Sequence, residues 1–138
     1  MNTAVVNLGA NIEPESNINA TLSLLRRYFH VLKESGFQWT EAISPDPQPD
    51  YLNGAVLIQT QYTLESFRKA LKNTEKTIGR TESIGKYAPR SIDLDILVWN
   101  YQIVHPDYHN RSFVQEYVHE LLAPEDLTSP HPSTCRSP

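Results

Sequence analysis

Three observations predict an α+β domain of the split βαβ, ferredoxin-like kind with an additional C-terminal helix. Short apolar runs bounded by turn residues alternate with amphipathic stretches, the elements follow one another as β, α, β, β, α, β, α, and 39% of the 138 residues are hydrophobic, enough for one core. Ala4 to Leu8 reads as the first strand, ended by the turn signal Gly9-Ala10-Asn11. A helix follows, capped by Ser16 or Asn17, with Ile18, Leu22, Leu25 and Phe29 on one stripe and Arg26 and Arg27 outside it. A second strand covers Val31 to Trp39, interrupted or bent by Ser35-Gly36. Pro45, Pro47 and Pro49 cannot donate ladder bonds, so Thr40 to Asp50 is a structured loop. Tyr51 to Thr60 gives a clear apolar strand. Thr63 then opens a second helix with Leu64, Phe67, Leu71 and Ile78 on one stripe, stopped by Gly79. A polar loop from Thr81 to Pro89 leads into a strand through Ile92 to Val98, and after a connection holding Pro and His a third helix forms around Val114 to Leu122.

The length fits one domain, set at residues 1–127, with a disordered tail over 128–138. A net charge of −4 disfavours a nucleic-acid surface, which needs a basic excess. Cys135 is the single cysteine and has no intramolecular partner, which fits a reducing cytoplasm. No apolar run approaches the ~20 residues that span a bilayer, and the start lacks the layout of a secretory signal. The expectation is a cytoplasmic monomer.

The stretch Ala88-Pro89-Arg90-Ser91-Ile92-Asp93-Leu94-Asp95-Ile96-Leu97-Val98 is the most informative. Side chains alternate along a strand, so Asp93 and Asp95 point one way while Ile92, Leu94, Ile96 and Val98 point the other. Two carboxylates about 7 Å apart repel and raise each other's pKa unless a cation sits between them, and oxygen donors of this kind suit Mg²⁺ carrying a nucleotide's phosphates. Arg90 adds a cationic fork that fits phosphate. Alone, the pattern equally describes an antiparallel strand with one wet face.

Several segments together resemble a known family. Tyr51-Leu52-Asn53, the Ile78-Gly79-Arg80 turn and above all Pro89-Arg90-Ser91-Ile92-Asp93-Leu94-Asp95-Ile96-Leu97 are similar to the 6-hydroxymethyl-7,8-dihydropterin pyrophosphokinases of folate biosynthesis. That family's signature is Gly-Pro-Arg-Thr-Leu-Asp-Leu-Asp-Ile, from which this chain departs at Ala88, Ser91 and Ile92. Asn7-Leu8-Gly9-Ala10-Asn11 resembles the family's opening, and Asn110-Arg111-Ser112-Phe113-Val114 with Ala123-Pro124-Glu125 resembles its closing block. The likeness runs from Val5 to Glu125.

The resemblance implies transfer of the terminal diphosphate of ATP to the hydroxymethyl oxygen of a reduced pterin, releasing AMP. Asp93 and Asp95 would hold two Mg²⁺ ions, and Arg80 and Arg90 would reach phosphate oxygens as further catalytic residues. Lys72, Glu75, Ile96, His105 and Arg111 match positions around ATP. Tyr51 and Phe113 match two rings that sandwich the pterin, with Asn53, Thr40 (through its backbone) and Arg90 completing that site. Read singly, Phe113 and Tyr51 also fit core packing, Asn53-Gly54 a bulge, and Glu75 a solvated helix position beside Lys72 and Lys76. The chain lacks G-x-x-x-x-G-K-[ST], so nucleotide must be gripped by side chains and backbone.

Departures from the family pattern favour a second reading. Gln38-Trp39-Thr40-Glu41-Ala42-Ile43-Ser44 replaces a Tyr-x-Thr-x-Pro segment, Glu82 and Ser83 stand where a basic residue is typical with Tyr87 as a closing aromatic, and the Asn100–His105 connection is about eight residues shorter. On that reading the chain is a family-derived pterin-binding protein with weak or no ATP turnover. A third possibility is an unrelated ferredoxin-like interaction module.

Overall fold

The computed structural model describes residues 1–79 and 90–129. At its centre lies β1 (Asn2–Ala10), paired antiparallel with β4 (Tyr51–Thr60) on one side and β5 (Asp93–Trp99) on the other. The outer neighbour of β4 is an edge in two pieces, β2 (His30–Glu34) and β3 (Gln38–Thr40). This is the expected strand bent at Ser35-Gly36. There the Ser35 hydroxyl accepts a bond from the Ala55 N–H (2.8 Å), and Phe37 lies so close over Gly54 that a Cβ there would come within 2.5 Å of its ring. Asn53 and Gly54 remain in regular register with Gly9 and Leu8, so Gly54 serves this close approach and forms no bulge.

A two-residue β6 (Gln102–Ile103) extends the sheet beyond β5, giving the order β2-β4-β1-β5-β6. Asn100 and Tyr101 both take positive φ, 49° and 68°, the conformation of a tight hairpin turn matched to strand twist. The Asn100 side-chain oxygen accepts the Thr3 N–H at 2.8 Å and fixes this hairpin to the start of β1.

Two helices cover one face: α1 (Pro14–Tyr28) and α2 (Leu64–Gly79). Ile18, Leu22, Leu25, Phe67 and Leu71 meet Ala4, Val6, Leu8, Val56, Ile58, Leu94 and Ile96, and Phe29 and Ile78 pack at the rim, as the stripes require. Thr63 caps α2 by accepting the Ser66 N–H at 3.1 Å. The start of α1 differs from expectation. Proline at the first turn sets the start, because its missing N–H is one that no helix start can pair, and Glu13 precedes it in the left-handed region (φ 37°). Ser16 and Asn17 are therefore inside the helix, with the Asn17 amide donating back to the Ile12 carbonyl at 2.7 Å.

The opposite face carries α3 (Asp107–Asn110), which the sequence left as connection, and α4 (Ser112–Leu121). Val114, Tyr117, Val118 and Leu121 bury against Val5, Ala55, Leu57, Leu97 and Val98. Val98 is a correction. The register against β1 shifts between Val5 and Val6, and past that irregularity Val98 turns to the α4 side while Ile92, Leu94 and Ile96 stay on the other. The architecture is the expected α+β, ferredoxin-like sandwich with an added C-terminal helix on the outer face.

At the C-terminal side Thr128 remains tied to the sheet, its carbonyl accepting the Ile103 N–H at 2.7 Å and its N–H donating to the Tyr101 carbonyl at 2.9 Å. Thr128, expected in the tail, is thus paired with the sheet. Cys135 and the rest of 130–138 lie outside the described residues. No described helix is long and apolar enough to cross a membrane.

Candidate active site

The α4 layer covers only part of its face. Where it stops, β1, β4 and β5 expose a polar floor whose rows follow from the register: Asn53, Gly9 and Asp93 stand side by side, and Ala55, Asn7 and Asp95 form the next row. Above this floor lies a cavity of about 180 Å³ lined by Asn7, Gly9, Thr40, Glu41, Ile43, Tyr51, Asn53, Asp93, Asp95, Asp107 and Arg111. Gly9 is required here, since a Cβ would come within 2.6 Å of Asn53 Oδ1 and 3.5 Å of the Tyr51 ring. The Asn53 amide donates to the Thr40 hydroxyl, so Thr40 contributes its side chain and not only backbone.

A second cavity, of about 200 Å³, opens on the α2 side of β5 between Arg68, Leu71, Lys72, Leu94, Asp95, Ile96, Val104 and His105. Asp95 lines both. Thr40, Tyr51 and Asn53, expected around the pterin, line the first hollow, and Lys72, Ile96 and His105, expected around ATP, line the second, whereas Arg111, also expected around ATP, lines the first.

The electrostatics match that position. Burial, then the charges of Asp93 and Glu75, push the Asp95 carboxyl up to about 7, helped by a hydrogen bond with Asp93 that only a protonated carboxyl can make. His105 Nε2 stands 3.8 Å from Asp95 Oδ1, while His105 Nδ1 accepts the Asp107 N–H at 3.1 Å. With Nδ1 occupied as an acceptor, Nε2 carries the proton and presents it toward Asp95. Glu75 is no solvated helix residue: its Oε2 accepts the Leu94 N–H at 2.7 Å, and Lys72 Nζ lies 3.6 Å from Oε1. Burial raises its pKa, partly offset by the Leu94 bond and by Lys72.

Phe113 stands apart from the first cavity's lining. Its ring packs at 5.9 Å on Tyr117 beneath the Arg111 guanidinium, 5.5 Å from the ring centre. The Arg90 backbone is fixed to the β1 end, its N–H donating to Asn11 Oδ1 (2.8 Å) and its carbonyl accepting the Asn11 N–H (3.0 Å). The same Asn11 side chain donates to Gln48 Oε1 (2.9 Å) and the Pro49 carbonyl (3.2 Å), so one amide ties the Pro-rich loop to the strand that carries the aspartates. Arg80, Glu82, Ser83 and Tyr87 lie outside the described residues.

Sequence reasoning missed Asp107, Arg68, Glu41 and Ile43 as lining residues, and it treated Asn7 and Asn11 only as parts of a motif. The spacing His105-x-Asp107 carried a usable signal, since it brings a carboxylate beside an imidazole.

Comparison with known proteins gives the family of the chain. A family model described as 7,8-dihydro-6-hydroxymethylpterin-pyrophosphokinase matches residues 5–123. The chain belongs to this family. It is 30% identical over 142 residues to the 2-amino-4-hydroxy-6-hydroxymethyldihydropteridine pyrophosphokinase of Haemophilus influenzae, covering 95% of this chain and 87% of that protein. A Bacillus subtilis protein of the same name is 30% identical over 124 residues, covering 82% of this chain and 74% of its own. The folate synthesis bifunctional protein of Arabidopsis thaliana is 32% identical over 133 residues, 89% of this chain but 28% of that protein, so this chain spans only a part of such fused relatives. The Asp93/Asp95 pair and both hollows lie within the matched segment.

Proposed function

We propose that the chain transfers the terminal diphosphate of ATP to the hydroxymethyl oxygen of 6-hydroxymethyl-7,8-dihydropterin and releases AMP, with the reduced pterin in the first hollow and the nucleotide entering by the second. The observation that carries this reading is Asp95, which faces both hollows and is joined to Asp93 by charge and proximity. The hydroxyl oxygen bonds to the β-phosphorus while the bridging oxygen leaves with AMP, so reaction must occur where the two ligands meet.

Mg²⁺ fits this pair: Asp93 and Asp95 share one face of β5 and both line the first hollow, and carboxylate oxygens are donors of the type a hard cation takes. Two ions there would neutralise charge on the diphosphate and on the departing AMP oxygen. The chain's own residues do the rest. Tyr51 and Asn53 hold the heterocycle, Gly9 leaves room for the Asn53 side chain against the strand, and Thr40 fixes the Asn53 amide by accepting its N–H. His105 directs its Nε2 proton to the pair, and Arg111 brings a guanidinium to the rim with Arg90, and Arg80 from the segment after α2, as further phosphate partners. Lys72 and Glu75 flank the nucleotide hollow, and Glu75 also anchors Leu94 between the two aspartates.

Family membership and the survival of the aspartate pair with its two hollows favour the enzyme over a pterin-binding protein without turnover. Calorimetric titration separates them. The enzyme takes a non-hydrolysable ATP analogue with Mg²⁺ and then binds pterin more tightly, whereas uptake of pterin with no nucleotide binding would mark the binding protein, and uptake of neither would overturn both.

A further inference from the structure

Asn7 is half-buried and carries a buried amide oxygen that the reaction described above leaves unused. Its position on β1 alternates with Val6 and Leu8, whose side chains belong to the core under α1 and α2, so its amide faces the opposite way, into the first hollow. Cross-strand partners are Ala55 and Asp95. The Oδ1 atom is buried and has no hydrogen-bond partner among the described residues. Neither cross-strand neighbour is bonded to it: the Ala55 side chain is a methyl group, and the Asp95 carboxyl makes no hydrogen bond with it. A buried acceptor between a methyl group and a carboxylate is satisfied by a donor brought in from outside.

The floor shows where that donor stands. Gly9 lets the Asn53 amide lie close against β1 at one end of the hollow, and the aspartate pair holds the side at which the reacting hydroxymethyl group must lie. Asn7 sits in the adjacent row, one step further along β1. A flat heterocycle in this hollow with one edge on Asn53 turns a second edge toward Asn7. We infer that Asn7 Oδ1 accepts a hydrogen bond from a ring N–H of the bound heterocycle, making Asn7 a specificity-determining residue for the pterin. The inference rests on the reading of this hollow as the pterin site. It assigns Asn7 to selecting the ring that presents a donor, whereas Asn53 orients the opposite edge.

The test measures two affinities in one protein. Asn7→Leu keeps the volume and removes the acceptor, and Asn7→Ala removes it without added bulk; both are compared with the unsubstituted chain by titration with 6-hydroxymethyl-7,8-dihydropterin in the presence of Mg²⁺ and a non-hydrolysable ATP analogue. Both variants are expected to bind pterin about tenfold or more weakly, since an acceptor lost against a ligand donor costs at least that factor. Affinity for the Mg²⁺-bound analogue stays within about twofold, and KM for pterin rises more than KM for ATP. Should Asn7→Leu lose its cooperative melting transition, Asn7→Ala carries the test. Unchanged pterin affinity would overturn the inference, and so would a parallel loss for the analogue, which would make Asn7 an ion ligand or a structural residue. If the unsubstituted chain itself takes up no pterin, the reading of the hollow falls; if it does and the variants match it, only the role of Asn7 falls.

Discussion

The two faces of the sheet are built from the same strands and do opposite things. Toward α1 and α2, β1 presents Ala4, Val6, Leu8 and Ala10, and the layer closes over them without a polar side chain from that strand. Toward α4 the same strand presents Val5, Asn7 and Gly9, of which only Val5 joins the apolar cluster. The first face gains stability from continuous burial. The second is packed along half its length and open along the rest, where it keeps carboxylates that repel each other and an acceptor with no hydrogen-bond partner among the described residues. Stability is concentrated on one face and chemistry on the other, so substitutions on the two faces should separate folding from turnover.

The largest effect is expected on the open face. Asp95→Asn retains one oxygen acceptor at a partly exposed position, so the fold should persist while turnover falls by a factor of about 10³ or more, because charge stabilisation in the transition state is lost. Steady-state AMP formation beside a melting curve checks this, and wild-type turnover would remove the pair from catalysis. The packed face should behave in reverse. Phe67 is fully buried and meets Phe29 and Trp99 at 5.2 and 5.9 Å between ring centres, so Phe67→Ala should cost about 3–5 kcal/mol in denaturant unfolding. Any of that variant that stays folded should retain pterin affinity.

Smaller effects sharpen the contrast within the open face. Asn53→Ala should weaken pterin binding by roughly 1–3 kcal/mol with little change for the nucleotide, since ligand groups are left unpaired in one hollow only. Equal loss of both ligands would make Asn53 structural. The raised pKa of Asp95 predicts a pH dependence of stability without Mg²⁺. Between its ordinary value of 3.8 and about 7 the folded chain binds more protons at this carboxyl than the unfolded chain, so this contribution to stability falls as pH rises through that window. Asp95→Asn should therefore raise the unfolding free energy at pH 8 by an amount on the order of 1–2 kcal/mol after allowance for solvent screening, and leave it nearly unchanged near pH 4. Added Mg²⁺ should reverse the gain at pH 8. A difference of the same size at both pH values would tie it to packing instead of charge.

Most of the packed face was legible in the sequence, because burial writes itself as periodicity. The Ile18, Leu22, Leu25, Phe29 stripe and the Leu64, Phe67, Leu71, Ile78 stripe both meet the strands as expected. The aspartates were legible as one side of a strand, yet Val98 was assigned to the wrong face, since a register shift leaves no mark in an unbroken apolar run. The start of α1 was misplaced because the proline at its first turn outweighed the usual polar caps. The open face was harder. Thr40, Tyr51 and Asn53 came together as expected, but Asp107 and Arg68 entered through tertiary placement that local pattern does not encode, and Phe113 was drawn under Arg111 onto Tyr117. Asn11 shows the same limit: its sequence position says turn, while its four hydrogen bonds to Gln48, Pro49 and Arg90 exist only in the fold.

The central claim is that two ligands meet at one carboxylate pair, and the most direct measurement is AMP formation from ATP and Mg²⁺ with and without 6-hydroxymethyl-7,8-dihydropterin. The account predicts AMP accumulating in step with pterin diphosphate, with no ADP and almost no AMP when pterin is left out. AMP release at the same rate without pterin, or no AMP even with pterin at saturating concentration, would contradict it.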